Sequence, residues 1–179
     1  LDFCNDNLLF NQLACSSSHL IIWRGSTNVI NSAKKRFWAE VEKSIKTDFK
    51  MTDTECVERF TRISNIALRF GNLKLLNNLS DKVLRSEFTN PEEELVNYKV
   101  GYGYFSEMDN VTNIMLAKFV TDRFQTITYY GIEKDKLIED LLSEGAKGID
   151  RIVPIGQALN LDVIWDGYDI INHLSRNID

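Results

Sequence analysis

The stretch Phe10-Asn11-Gln12-Leu13-Ala14-Cys15-Ser16-Ser17-Ser18-His19 sets a thiol among small polar residues, ahead of a run of four apolar ones. A thiolate is a strong nucleophile, and small neighbours leave room for a carbonyl. Adjacent hydroxyls and exposed backbone N–H groups can hold the oxyanion that forms when a thiolate attacks a thioester. Cys15 is therefore the candidate nucleophile, with Ser16 and Ser17 as candidate substrate-binding hydroxyls. Residue chemistry alone favours a plainer reading, a Ser-rich turn with an incidental cysteine. His19 would be next to Cys15 on a helix but roughly 13 Å away along a strand. Its expected role is structural or substrate-lining rather than that of a base.

The other reactive residue types are scattered. Cys4, Cys15 and Cys56 make an odd number without C-x-x-C spacing, and His19 and His173 lie far apart. A disulfide framework or zinc site has little support, no metal is expected, and the thiols read as free in a reducing compartment. His173 reads as ordinary surface. Arg123 and Arg151 each open an expected strand, so both could emerge at one sheet end and meet the phosphates of an anionic substrate. The plainer alternative is an ion pair with Asp122 or Asp150.

Twenty-six acidic against twenty-one basic side chains leave a net charge of −5, with no basic stripe carrying interleaved aromatics. Nucleic acid is not the expected partner. No apolar run approaches the roughly 20 residues of a membrane helix, and the opening residues have neither a basic region nor an apolar one. The expected setting is cytoplasmic. At 179 residues and 44% hydrophobic content the chain can fill one core, so one domain is expected over residues 1–179. Its opening on Leu1 suggests a piece of something larger.

The elements that must position these residues follow from periodicity. Leu8, Leu9 and Leu13 can share a helical face running into Cys15, and Leu20-Ile21-Ile22-Trp23 reads as a buried strand. Val29, Ala33, Phe37, Val41, Ile45 and Phe49 predict a helix over 28–49. A capping box, Thr52-Asp53-Thr54-Glu55, opens a second helix whose expected stripe is Cys56, Phe60, Ile63, Ala67 and Phe70. Alternation from Val96 to Tyr104 predicts a strand whose tyrosine face is core or an oligomer surface. Strands are also expected over 114–120, 126–130 and 152–155, with Pro154 placing the last at an edge or near its own end, and a helix over 134–144. Strands alternating with helices argue for an α/β fold with a largely parallel sheet flanked by helices.

Phe10 to Ser17 resembles the nucleophile motif of the acyl-CoA reductase family, aldehyde-dehydrogenase relatives that include the fatty-acid reductase of bacterial bioluminescence. There an aromatic, a polar residue, Gln, a variable residue and Ala precede the reactive Cys. Arg123-Phe124-Gln125-Thr126-Ile127 and Gly148-Ile149-Asp150-Arg151-Ile152-Val153 are similar to two further family motifs in the same order. Trp165-Asp166-Gly167-Tyr168-Asp169 resembles the terminal motif of the non-luminous branch. The luminous branch tends to have His where Tyr168 stands, so no role of that His carries over.

The resemblance implies the catalytic domain of the aldehyde dehydrogenase fold. It also implies NADPH-dependent reduction of a fatty acyl-CoA to an aldehyde through a thioester on Cys15. No G-x-G-x-x-G follows a strand, and Gly101-Tyr102-Gly103 lies within the alternating run. The resemblance therefore implies that an N-terminal nucleotide-binding domain is absent, and that NADPH would be bound mainly by that missing partner. Glu107 is a candidate for the cofactor-binding carboxylate, against the expectation of a solvated loop, because the usual Glu-Glu-x-Phe-Gly-Pro is not around it. Possible further partners are a second copy or an acyl-transfer protein. Two alternatives remain: an aldehyde dehydrogenase in the oxidising direction, or an interaction module with an unreactive Cys15.

Overall fold

A computed structural model describes residues 2–45, 49–71, 73–76, 81–89, 98–121, 124–165 and 167–176. The elements run α1 (Asp2–Leu8), β1 (Leu20–Trp23), α2 (Thr27–Ile45), α3 (Asp53–Arg69), β2 (Leu73–Leu75), β3 (Leu84–Phe88) and β4 (Tyr104–Asp109). Then follow α4 (Asn113–Phe119), β5 (Gln125–Tyr129), α5 (Lys134–Ser143), β6 (Ile149–Pro154), β7 (Ile164–Trp165), β8 (Tyr168–Asp169) and α6 (Ile170–Leu174).

The fold is mixed α/β. A four-stranded sheet has the order β1-β4-β3-β2, with β1, β4 and β3 parallel and β2 antiparallel at the edge. β5 and β6 form a separate parallel pair, and β7 and β8 a short antiparallel hairpin. The mostly parallel character agrees with the sequence expectation. The single flanked sheet does not, because β1 and β5 are not paired to each other.

β4 is the centre of the larger sheet, buried from Tyr104 to Met108 on both faces. One face packs Ile63, Ile66, Phe70, Met108, Leu116, Phe119, Leu137 and Leu141. The other packs Phe3, Trp38, Val41, Ile45 and Phe105. Trp38 is 1% exposed, and burial of a side chain of this kind stabilises by about 2–3 kcal/mol. Pro154 closes β6, where its missing N–H costs no ladder bond. No helix among the described residues is long and apolar enough to cross a membrane.

Three expectations need correction. Residues 114–119 are helical, with Val120 as the extended C-cap: the Thr112 hydroxyl accepts from the Met115 N–H at 3.2 Å, and Leu116, Ala117 and Phe119 fall inside at helical spacing. The alternating run of 96–104 is not a strand where it is described. Gly101, Tyr102 and Gly103 are consecutive left-handed residues (φ 78°, 55° and 75°), and the strand begins at Tyr104; residues 90–97 lie outside the described ones. A Cβ on Gly103 would stand 2.2 Å from the Lys82 carbonyl, so only glycine fits this turn.

The inner face of α3 is the third correction. Its buried residues are Arg59, Ile63 and Ile66, while Cys56 is exposed and Phe60 is 72% exposed. Arg59 goes inside because its guanidinium donates to the carbonyls of Asp81, Lys82 and Tyr102 at 2.8, 3.3 and 3.0 Å. It ties α3 to the two chain segments that enter β3 and β4. The capping box itself stands as expected: the Glu55 N–H reaches the Thr52 hydroxyl and the Glu55 carboxylate accepts from the Thr52 N–H at 2.7 Å.

Candidate active site around Cys15

α1 ends at Leu8, short of Cys15, because the chain turns through Asn11 and Gln12 in the left-handed region (φ 51° and 61°). Asn11 pays for that conformation with its amide, which donates to Glu55 at 2.8 Å, and with its carbonyl, which accepts from Tyr102 N–H at 2.8 Å. Gln12 is fully buried and donates to the carbonyls of Ser18 and Tyr104 at 2.7 and 2.8 Å. From α1, the buried Asn7 accepts the Ser18 N–H at 2.6 Å. Two buried amides thus grip both sides of Ser18, the far end of the Cys15 loop.

Asp6 anchors the loop to β6. Its carboxylate accepts from Gly156 N–H at 2.6 Å and Ala158 N–H at 3.1 Å. Burial raises the Asp6 carboxyl above its ordinary range; these two bonds oppose the rise without cancelling it. None of Asp6, Asn7 or Gln12 was singled out as functional from sequence. An aspartate and two amides beside apolar residues read as helix-face filler until long-range partners are seen.

Cys15 is exposed and unpaired, in the turn between α1 and β1. It stands at a cleft of about 1240 Å³ whose walls are β1 and its approach on one side and β5 on the other, with Leu116, Phe119 and Leu137 behind. The other thiols differ: Cys4 is buried, and burial pushes its thiol up, while Cys56 is exposed on the outer face of α3.

Ser16 and Ser17 line the cleft but are themselves buried. The Ser17 N–H is held by the Ala14 carbonyl at 3.0 Å, and its hydroxyl donates to the Asp6 carbonyl at 3.4 Å. Ser17 is thereby spent on the loop. Among the described residues, no partner takes the Ser16 hydroxyl's hydrogen.

His19 also lines the cleft, with its Nδ1 enclosed and unpartnered. Burial lowers the imidazole to about 4, and the positive Lys99 and Arg62 add to the fall. A ring whose protonated form is disfavoured in this way takes up a proton poorly, so His19 is a poor base for Cys15. It fits the substrate-lining role.

The cofactor candidate fares differently. Glu107 is not in a solvated loop: it lies in β4 with 0% exposure. The Trp23 indole donates to it at 2.8 Å and Arg85 at 3.1 Å, with the Lys34 ammonium at 3.9 Å. Burial raises the Glu107 carboxyl against the pull of Arg85 and Lys34. Lys34 in turn bridges Glu87 at 2.9 Å and Asp109 at 2.7 Å, and Arg85 stacks on the Trp38 ring at 4.9 Å. Both Glu107 oxygens are occupied within the protein.

Arg151 is not ion-paired with Asp150 as the plain alternative had it. Its guanidinium donates to the carbonyls of Ala158 and Asn160 at 3.1 and 3.0 Å and lies over the Trp165 ring at 4.5 Å. It organises the turn after β6. Arg123, with Asp122, lies outside the described residues. His173 is exposed on α6, its ring 5.2 Å from that of Tyr168. Tyr104 is core, its hydroxyl 2.5 Å from that of Ser86.

No family model matches the chain, and no curated protein matches it.

Proposed function

We propose that this chain is the nucleophile-bearing half of an acyl-CoA reductase, in which Cys15 accepts the acyl group of a fatty acyl-CoA. The observation that carries the reading is the exposed thiol of Cys15, alone among the three in a braced loop of small residues lining the cleft of about 1240 Å³. In this reading the Cys15 thiolate attacks the thioester carbonyl and forms a new C–S bond. The tetrahedral oxyanion then collapses, the bond to coenzyme A sulfur breaks, and coenzyme A leaves as a thiolate that takes up a proton from solvent. The loop bonds from Asn7, Gln12 and Asp6 fix where the thiol stands, which is the entropic part of the catalysis.

NADPH fits these residues poorly. The Gly101–Gly103 turn is filled by Lys82 and Leu13, and the Glu107 carboxylate is engaged on both oxygens. Hydride delivery is accordingly assigned to a cofactor domain outside the described residues, and the aldehyde dehydrogenase fold to the complete enzyme. The test is coenzyme A release on mixing the chain with palmitoyl-CoA and no reductant. About one equivalent should appear from the parent and none from Cys15→Ser. Equal release from both removes the reading.

A second reading, an assembly module, has its own observation. α6 buries no residue, and Leu161, Ile171 and Leu174 are exposed around the β7–β8 hairpin. The two readings coexist if this arm joins copies of an enzyme.

A further inference from the structure

The turn after β6, from Gly156 to Asn160, is gripped from two sides by opposite charges. The Asp6 carboxylate accepts its Gly156 and Ala158 N–H groups at 2.6 and 3.1 Å. The Arg151 guanidinium donates to its Gln157, Ala158 and Asn160 carbonyls at 3.4, 3.1 and 3.0 Å. The Gln157 carbonyl and the Ala158 N–H belong to one peptide group. A single peptide therefore lies between the carboxylate and the guanidinium, its dipole aligned with both, so each charge strengthens the bond that the other makes. The Asp6 end is dry, with Asp6 3% and Ala158 0% exposed. The guanidinium is fixed in turn by the Trp165 ring, 4.5 Å away.

On its other side Asp6 meets the Cys15 loop. Its carbonyl accepts the Ser17 hydroxyl at 3.4 Å, and the next side chain, Asn7, accepts the Ser18 N–H at 2.6 Å. Both residues sit on α1, a helix of seven residues, so they move together. Asp2 of the same helix stands against the turn, since a Cβ on Gly156 would come 2.7 Å from the Asp2 Cβ. A shift of the turn is thus passed through α1 to Ser17 and Ser18, the near neighbours of Cys15.

We propose that Arg151 is a positioning residue for Cys15, acting through the 157–158 peptide and Asp6 on the loop that holds the thiol. It does not line the cleft, so it meets no substrate there. Lysine cannot take its place, because an ammonium is a point charge that lacks the planar fork reaching three carbonyls and stacking on Trp165. The inference rests on the reading of Cys15 as the acyl acceptor.

Its test uses Arg151→Lys, Asp6→Asn and the double variant. Asparagine keeps the shape of Asp6, but its amide offers one acceptor and turns an NH2 donor toward the second N–H. Single-turnover release of coenzyme A is measured over a range of palmitoyl-CoA concentrations. Each single variant should lower the saturating rate by about tenfold or more and leave the half-saturating concentration unchanged. The double variant should be no slower than the worse single one, because both cut the same brace. The Ser18 amide of Arg151→Lys should exchange about tenfold faster than in the parent, with the circular dichroism spectrum unchanged. A raised half-saturating concentration at an intact saturating rate would overturn the proposal and make Arg151 a binding residue for the phosphates of coenzyme A. Multiplying losses in the double variant, or parent-like exchange at Ser18, would overturn it too. Should Asp6→Asn fail to fold, the rate and the Ser18 exchange of Arg151→Lys decide alone. Equal coenzyme A release from the parent and Cys15→Ser removes the acyl-transfer reading, and Ser18 exchange still decides whether Arg151 holds the loop.

Discussion

At His19 the native state holds an imidazole near 4, against about 6.5 when unfolded. The unfolded chain therefore binds the extra proton between those values. The stability at stake is fully present above about pH 6.5 and is lost as pH falls toward 4, by up to about 3 kcal/mol. Asp6 and Glu107, both raised by burial, carry the opposite sign, so the His19 part is isolated by difference. Urea midpoints of parent and His19→Gln, compared from pH 7 to pH 4, should show a shallower loss in the variant; parallel curves would contradict the buried neutral ring. Cys56 belongs at this scale too. Because it is exposed, Cys56→Ala should move stability by less than about 0.5 kcal/mol, measured by urea unfolding, and leave coenzyme A release unchanged. Its place in an apolar repeat of alternating four- and three-residue steps hid that exposure. The repeat drifts around a helix of 3.6 residues per turn, and the wedge that settled inside is set by Arg59, whose carbonyl partners are remote in sequence.

Elements with local causes were legible in the residues. β1 was legible from its apolar run, α3 from its capping box and α5 from its leucine pairs, and strands were expected at 126–130 and 152–155, where β5 and β6 lie. α4 was not, because Ile114 to Val120 is too short and too apolar for periodicity to separate helix from strand. The deciding signal was the Thr112 cap. The tyrosines before β4 alternate, but two glycines and Tyr102 turn the backbone left-handed, and the close approach of Lys82 that demands this is a tertiary fact. Gly103→Ala places a methyl against that carbonyl, so it should cost about 3 kcal/mol or more, while Gly71→Ala, with open space, should cost little. Thermal unfolding distinguishes them, and equal small shifts would refute the packed turn. In the Cys15 loop, Gln12→Ala strands two carbonyls and should cost about 1–3 kcal/mol in urea unfolding.

Across the whole molecule the site is a junction. Cys15 was a candidate from its small neighbours, but what holds its loop comes from remote parts of the chain: Asp6 grips Gly156 and Ala158, and Gln12 grips Tyr104. Glu107 was misread for the same reason, since Trp23, Arg85 and Lys34 come from three other elements. Removing its charge by Glu107→Ala leaves Arg85 and Lys34 without that buried partner, and should cost about 3–5 kcal/mol in urea unfolding. The central claim is that one thiol of three takes the acyl group. Incubation with palmitoyl-CoA in the absence of reductant, followed by proteolysis and mass spectrometric mapping, tests it most directly. A palmitoyl thioester on the peptide bearing Cys15, with Cys4 and Cys56 unmodified, is the expected result; the label on Cys4 or Cys56, or on no cysteine at all, would contradict it.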